Sequence, residues 1–190
     1  MNKEGEPTTK TSQWEKELER ERLQKDRFFR EHPQSPLSPE ARRRFRALNY
    51  FPPASNFRFE LSPREHQQKE RLKMTYTRGE EVEFLRWAEF RFKVGGRDCV
   101  LQAYKRDPEQ EELFIPFRDL TSGEESYPAG RYLDLQPQEH YTKQGNWILD
   151  FNRAYNPWCA YSQAYTCPLV PPENWLKVRI TAGEESFSPR

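Results

Sequence analysis

The chain has 190 residues, and 31 basic against 30 acidic side chains leave a formal net charge of +1. That is room for one ordinary domain with chain to spare, and it supplies no global field to draw the protein onto nucleic acid or an anionic membrane. Leu, Ile, Val and Phe together fall just short of the roughly 20% below which chains stay disordered, yet 13 Phe, 9 Tyr and 5 Trp argue for an aromatic-rich folded body beside a polar arm.

No apolar run approaches the ~18 residues that span a bilayer, and the N-terminus has no apolar signal-peptide core. The expectation is a soluble, cytoplasmic protein. Cys99, Cys159 and Cys167 are odd in number and lack CxxC spacing, which suits a reducing compartment better than a disulfide framework.

Residues 1–47 carry 12 basic and 9 acidic side chains, a far denser charge than the remainder. Residues 1–11 show no apolar period and are expected to be disordered. Ser12 and Glu15 then fit a capping box, and a helix follows in which Trp14, Leu18, Phe28 and Phe29 fall on one arc. Glu21–Lys25 and Asp26–Arg30 have the spacing of helical ion pairs. Pro33 ends this helix at His32. Ser38 with Pro39 opens a second, shorter one with Ala41, Phe45 and Leu48 inward, which places the run Arg42–Arg46, apart from Phe45, on a solvated face. Together 12–48 form a helical arm docked on the body.

From Asn56 the period changes to two. Phe57–Leu61 reads as a strand, Ser62–Glu65 as a cap for one helical turn, and Leu72, Met74 and Tyr76 as a further strand. Phe90–Val94, Gly95-Gly96 and Arg97–Tyr104 make a tight hairpin, because paired glycines supply the positive φ angles such a turn needs. Leu113–Phe117, Arg131–Leu135, Trp147–Phe151 and Leu176–Ile180 are further strands. Short connections and the absence of βαβ spacing predict a mainly β body over 49–186, an antiparallel β-barrel or sandwich, with a disordered tail at 187–190.

The stretch 150–175 concentrates Pro, Asn, Cys and aromatic residues in one long connection. Such loops are functional or serve as rigid plugs. Asn152, Asn156 and Tyr161 offer hydrogen-bonding edges, and Arg153 offers a planar fork for a carboxylate or phosphate. Cys159 is a candidate nucleophile if a base lies near it in space, and the gap to Cys167 fits no common zinc pattern. Asp119–Gly123 forms either an anion-binding turn or an ordinary Asp-initiated turn. No phosphate-binding loop, zinc-protease or α/β-hydrolase motif occurs, so no cofactor is assigned.

The segments FIPFRDLTSG at 114–123, YPAGRYLD at 127–134, LDFNRAYNP at 149–157, CAY at 159–161 and Cys167-Pro168 resemble a bacterial and archaeal family of a domain of unknown function. REHP at 30–33, Ser35-Pro36-Leu37 and Tyr50-Phe51-Pro52 resemble its N-terminal pattern. The resemblance covers roughly residues 14–184 and implies membership without an activity.

Two functional expectations follow. In the first, a small anionic molecule binds beside the 150–168 loop. Arg131 and Arg153 hold its charge, Asn152, Asn156 and Tyr161 orient it, and Asp134 or Asp150 holds the arginines or acts as a base; Asp150 and Cys159 are the candidate catalytic residues, and no metal site is assigned. In the second, the loop is only a plug and the N-terminal helices bind a protein partner. Neither involves nucleic acid or membrane.

Overall fold

The structure, a computed structural model, describes residues 12–188. The expected disorder of residues 1–11 therefore lies outside the described residues.

Local signals set the first elements. The Ser12 Oγ accepts the Glu15 N–H at 3.2 Å while Glu15 reaches back to the Ser12 N–H at 2.6 Å, and helix α1 runs Gln13–Glu31. Helix α2, Pro39–Arg44, is capped by Ser38 and stops at Phe45, short of Leu48. Phe29, Leu37, Phe45 and Leu48 form a small core of their own. The ring of Tyr161 seals it edge-on against Phe29, with centroids 4.8 Å apart. Phe187, expected in a disordered tail, packs on the other side of Tyr161 at 5.1 Å.

The body is built from β1 (Arg58–Leu61), β2 (Arg64–Thr75), β3 (Glu81–Val94), β4 (Arg97–Lys105), β5 (Leu113–Phe117), β6 (Arg131–Leu135) and β7 (Trp147–Asp150), with the single turn α3 (Pro137–His140) between the last two. Strands β2 to β6 form one antiparallel sheet in sequence order, and β1 pairs with β7 in a second. Gly95 and Gly96, at φ 55° and 80°, close the β3–β4 hairpin, with Val94 opposite Arg97. The two sheets do not join edge to edge, so of the two expected closures the sandwich fits and the barrel does not. Between them, Phe151 sits 5.4 Å from Phe92 and 5.1 Å from Phe117, and Ile115, Leu101, Leu149 and Ile180 complete a dry core.

Three expectations are corrected. Ser62–Glu65 makes no helical turn: β2 begins at Arg64, where Arg64 is in register with Glu89. The pair Glu21–Lys25 is not formed, because both side chains turn to the body, and Asp26 turns inward to accept the Leu48 N–H at 2.9 Å. Leu176–Ile180 is not a strand. Its alternation does bury Leu176, Val178 and Ile180, but its backbone runs irregularly along residues 118–120. The Leu176 N–H donates to Arg118 O at 2.7 Å, the Leu120 N–H to Val178 O at 2.9 Å, and the Ile180 N–H to the Asp119 carboxylate at 2.7 Å. A side-chain acceptor thus replaces a ladder bond, which period-two patterning alone does not reveal.

Among the described residues no helix is long and apolar enough to cross a membrane.

Candidate functional site

The eight residues singled out from the sequence do not share one hollow. Asp134, Asp150, Asn152 and Arg153 border a cleft of about 270 Å³ beneath α1, whose far wall is Arg22, Lys25 and Glu21. Arg131, Asn156, Tyr161 and Cys159 lie outside it. A larger hollow of about 500 Å³ beside α2, between Arg44, Phe45 and Phe187, lacks a comparable convergence of buried polar groups.

Helix α1 is the less obvious half of the cleft. At about 100° per residue, Arg22 and Lys25 fall on the same arc as Trp14, Leu18 and Phe29, so this face is apolar at its ends and cationic in the middle. The Trp14 indole N–H donates to Asp150 at 2.7 Å. Arg153 grips Glu21 with two bonds of 2.9 Å, and Lys25 is paired with the buried Glu184. Arg22 differs from the other two cations. Its guanidinium donates to two backbone carbonyls, Phe51 O at 3.1 Å and Asn152 O at 3.4 Å, lies 4.4 Å over the Tyr50 ring, and makes no ion pair among the described residues. Among the described residues its buried Nε has no hydrogen-bond partner, and the buried Tyr50 hydroxyl lies beside Glu184. Burial pulls the Arg22 guanidinium below its ordinary pKa, against the opposing fields of Tyr50, Glu184 and Asp150.

Asp150 is a hub of the fold. It caps the turn 151–153, taking the Asn152 N–H at 3.0 Å and its side-chain amide at 2.8 Å, together with Arg153 Nη1 at 2.9 Å and the Trp14 indole. Its lone pairs are spent, which argues against a role as a base. Asn152 is likewise clasped to Ala54, accepting its N–H at 2.8 Å and donating to its carbonyl at 2.9 Å.

Asp134 is the carboxyl in the cleft whose proton affinity is raised toward neutral pH. Burial raises its carboxyl to a pKa of about 6, against the lowering effect of the hydrogen bond it accepts from the Tyr155 hydroxyl. His140, also in the wall, is held below its ordinary range by burial and is neutral at pH 7. Since the folded-state pKa of Asp134 exceeds its ordinary 3.8, the native state binds the proton more tightly, and the associated stability is present below about pH 4 and lost as the pH rises through about 6. Comparing Asp134→Asn with the parent by urea unfolding from pH 4 to 7 should therefore show the parent losing on the order of 2–3 kcal/mol that the variant keeps. Parallel pH profiles would contradict the assignment.

The remaining residues have structural duties. Arg131 is wholly buried. It donates to Ala182 O, to Glu184 O at 3.1 Å and to Ile180 O at 2.9 Å, and it meets the buried Asp119 at 3.2 Å. Asp119 in turn accepts the Thr121 N–H at 3.1 Å, so the 119–123 segment is an Asp-initiated turn filled by a protein cation. The Asn156 N–H donates to Glu184 at 2.9 Å and its amide to Glu185 O at 2.8 Å; the Tyr161 hydroxyl also donates to Glu184. Cys159 lies on the one-turn helix Trp158–Ala160, beside Cys167 and Tyr127. No histidine bonds it, and among the described residues no cluster of His, Cys, Asp and Glu is arranged to hold a metal ion.

Residues 43–185 match the family described as "Protein of unknown function (DUF1684)", and the chain belongs to it. The solution NMR structure of an uncharacterized protein from Haloarcula marismortui is 41% identical, with 90% of this chain and 94% of that chain covered and a TM-score of 0.69. No curated protein matches.

Proposed function

We propose that this protein binds a small anionic molecule, a carboxylate or phosphate, in the cleft between α1 and the Asp150–Tyr155 turn. The observation that carries this reading is Arg22: a cation that lines the hollow and, among the described residues, makes no ion pair and has a buried, unpartnered Nε. Buried cations are almost always paired or hydrogen-bonded, so the unpaired guanidinium that lines this cleft is where an anionic acceptor would sit. Asp134 adds a donor when protonated, and the Tyr50 hydroxyl a further polar edge. Asn152 and Arg153 serve as walls, and the charge contact shifts from the expected Arg131 to Arg22. Binding is favoured over catalysis because Asp150 is saturated and Cys159 is elsewhere.

A thermal-shift series with inorganic phosphate and short mono- and dicarboxylates tests this. An anion at about 100 times its Kd adds roughly 2.7 kcal/mol of stability, and the Arg22→Gln variant should lose that ligand-induced rise while Glu139→Gln, on the rim, keeps it. No stabilising anion, or equal stabilisation of Arg22→Gln, would overturn the reading. Because α1 forms a wall of the cleft, this point substitution separates ligand binding from the alternative of a helical arm that serves a protein partner, which deletion of the arm would not.

A further inference from the structure

The 150–168 loop holds a second cluster that the cleft does not use. We propose that Cys159 and Cys167 form a reversible dithiol–disulfide pair oxidised by hydroperoxides, with Cys159 attacking and Cys167 resolving.

The loop folds back so that the Cys167 Sγ accepts the backbone N–H of Cys159 at 3.3 Å, which brings the two sulfurs into one neighbourhood. Both thiols are free. Cys159 is half-buried and Cys167 buried, so an oxidant arriving from solvent meets Cys159 first, with its partner behind. The Tyr127 hydroxyl lies 3.7 Å from the Cys159 sulfur, a donor placed to support a thiolate. The hydrogen bond from the Cys167 thiol holds Cys159 at a pKa of about 6 despite its burial, with Tyr127 adding to the effect. Cys167 is anchored, its N–H donating to Thr77 Oγ1 at 3.2 Å and its carbonyl accepting the Thr77 N–H at 3.0 Å. Cys159 sits on a single helical turn without a side-chain cap, so closing the bond moves the short turn toward a fixed partner. The third cysteine, Cys99, is buried in the sandwich core.

The chemistry balances with one hydroperoxide. The Cys159 thiolate attacks an oxygen of hydrogen peroxide; the S–O bond forms, the O–O bond breaks, and the departing hydroxide takes a proton and leaves as water. The Cys167 sulfur then attacks the sulfenic acid; the S–S bond forms, the S–O bond breaks, and the hydroxide leaves with the Cys167 proton as a second water. The two thiols lose two electrons and the peroxide gains them. Exchange with a dithiol restores both. The bond would tie the 158–160 turn to the end of β2 through Thr77.

The test uses the folded full chain treated with a small excess of hydrogen peroxide, then denatured, alkylated and cleaved after Arg153 and Lys177, which leaves both cysteines in one peptide. The expected result is that this peptide becomes lighter by two hydrogens, resists alkylation, and recovers after dithiothreitol, while Cys99 alkylates fully. In Cys167→Ser, Cys159 should accumulate as a sulfenic acid trapped by dimedone. Full alkylation of both cysteines in the treated parent, oxidation of Cys99 at the same rate, or no trapped sulfenic acid in Cys167→Ser would each overturn the proposal.

Discussion

Replacing Arg131 with Met is expected to cost about 3–5 kcal/mol, the range for removing one partner of a buried ion pair. The loss has two sources. Asp119, with a side chain of 0% exposure, would retain a buried charge with only neutral donors around it: the backbone N–H groups of Thr121 and Ile180 and the hydroxyls of Thr121 and Ser122. The carbonyls of Ile180, Ala182 and Glu184 would lose the guanidinium that gathers them. A chain of this size loses roughly 2–4 °C of Tm per kcal/mol, so the melting temperature should fall by roughly 6–20 °C. Arg131→Lys should recover only part of this, since an ammonium cannot span three carbonyls and a carboxylate with a planar fork. The double variant with Asp119→Asn should be less destabilised than the two single changes added together, because the uncompensated charge is gone. Strict additivity, measured by denaturant unfolding, would show that the pair does not act as a unit.

Glu184→Ala is the second large effect, at about 3–4 kcal/mol. This carboxylate is 1% exposed and ties α1, through Lys25, to the 150–168 loop, through the Asn156 N–H and the Tyr161 hydroxyl. Its loss leaves a buried N–H and a buried hydroxyl without acceptors, each at about 1–3 kcal/mol before relaxation, and frees Lys25 beside the cleft. Glu184→Gln keeps an acceptor for Asn156 and Tyr161 but sets an amide against the Lys25 ammonium, so it should fall between the parent and Ala. If Gln and Ala were equally destabilising, the charge on Lys25 would be the dominant partner and the two hydrogen bonds incidental.

The parts of the fold legible in the sequence are those written in short range. The Ser12–Glu15 box, Pro39 behind Ser38 and the Gly95-Gly96 turn each act within a few residues, and each appears where the pattern puts it. The antiparallel order of β3 to β5 likewise follows from short connections. What the pattern missed depends on partners far along the chain. Arg131 reads as a ligand-facing group because nothing local shows that the backbone of residues 180–184 returns to meet it. Leu176–Ile180 alternates like a strand, yet its backbone partners include a carboxylate. The candidate site was half visible: Asp134, Asp150, Asn152 and Arg153 do border one cleft. Arg22 and Lys25 shared the buried arc of α1 from the start, but charged residues on a helix are by default assigned to solvent. The signal was there in their spacing, four and seven residues on from Leu18, and only an observed opposite wall gives it meaning.

The direct test of the cleft is to follow the Arg22 Nε–H resonance by 15N NMR while phosphate and short carboxylates are titrated in. The account requires a saturable shift of that resonance, shared by neighbours at Tyr50 and Asp134 and absent in Arg22→Gln. Changes that never saturate, or that centre on the solvated arginines of residues 42–46, would contradict it.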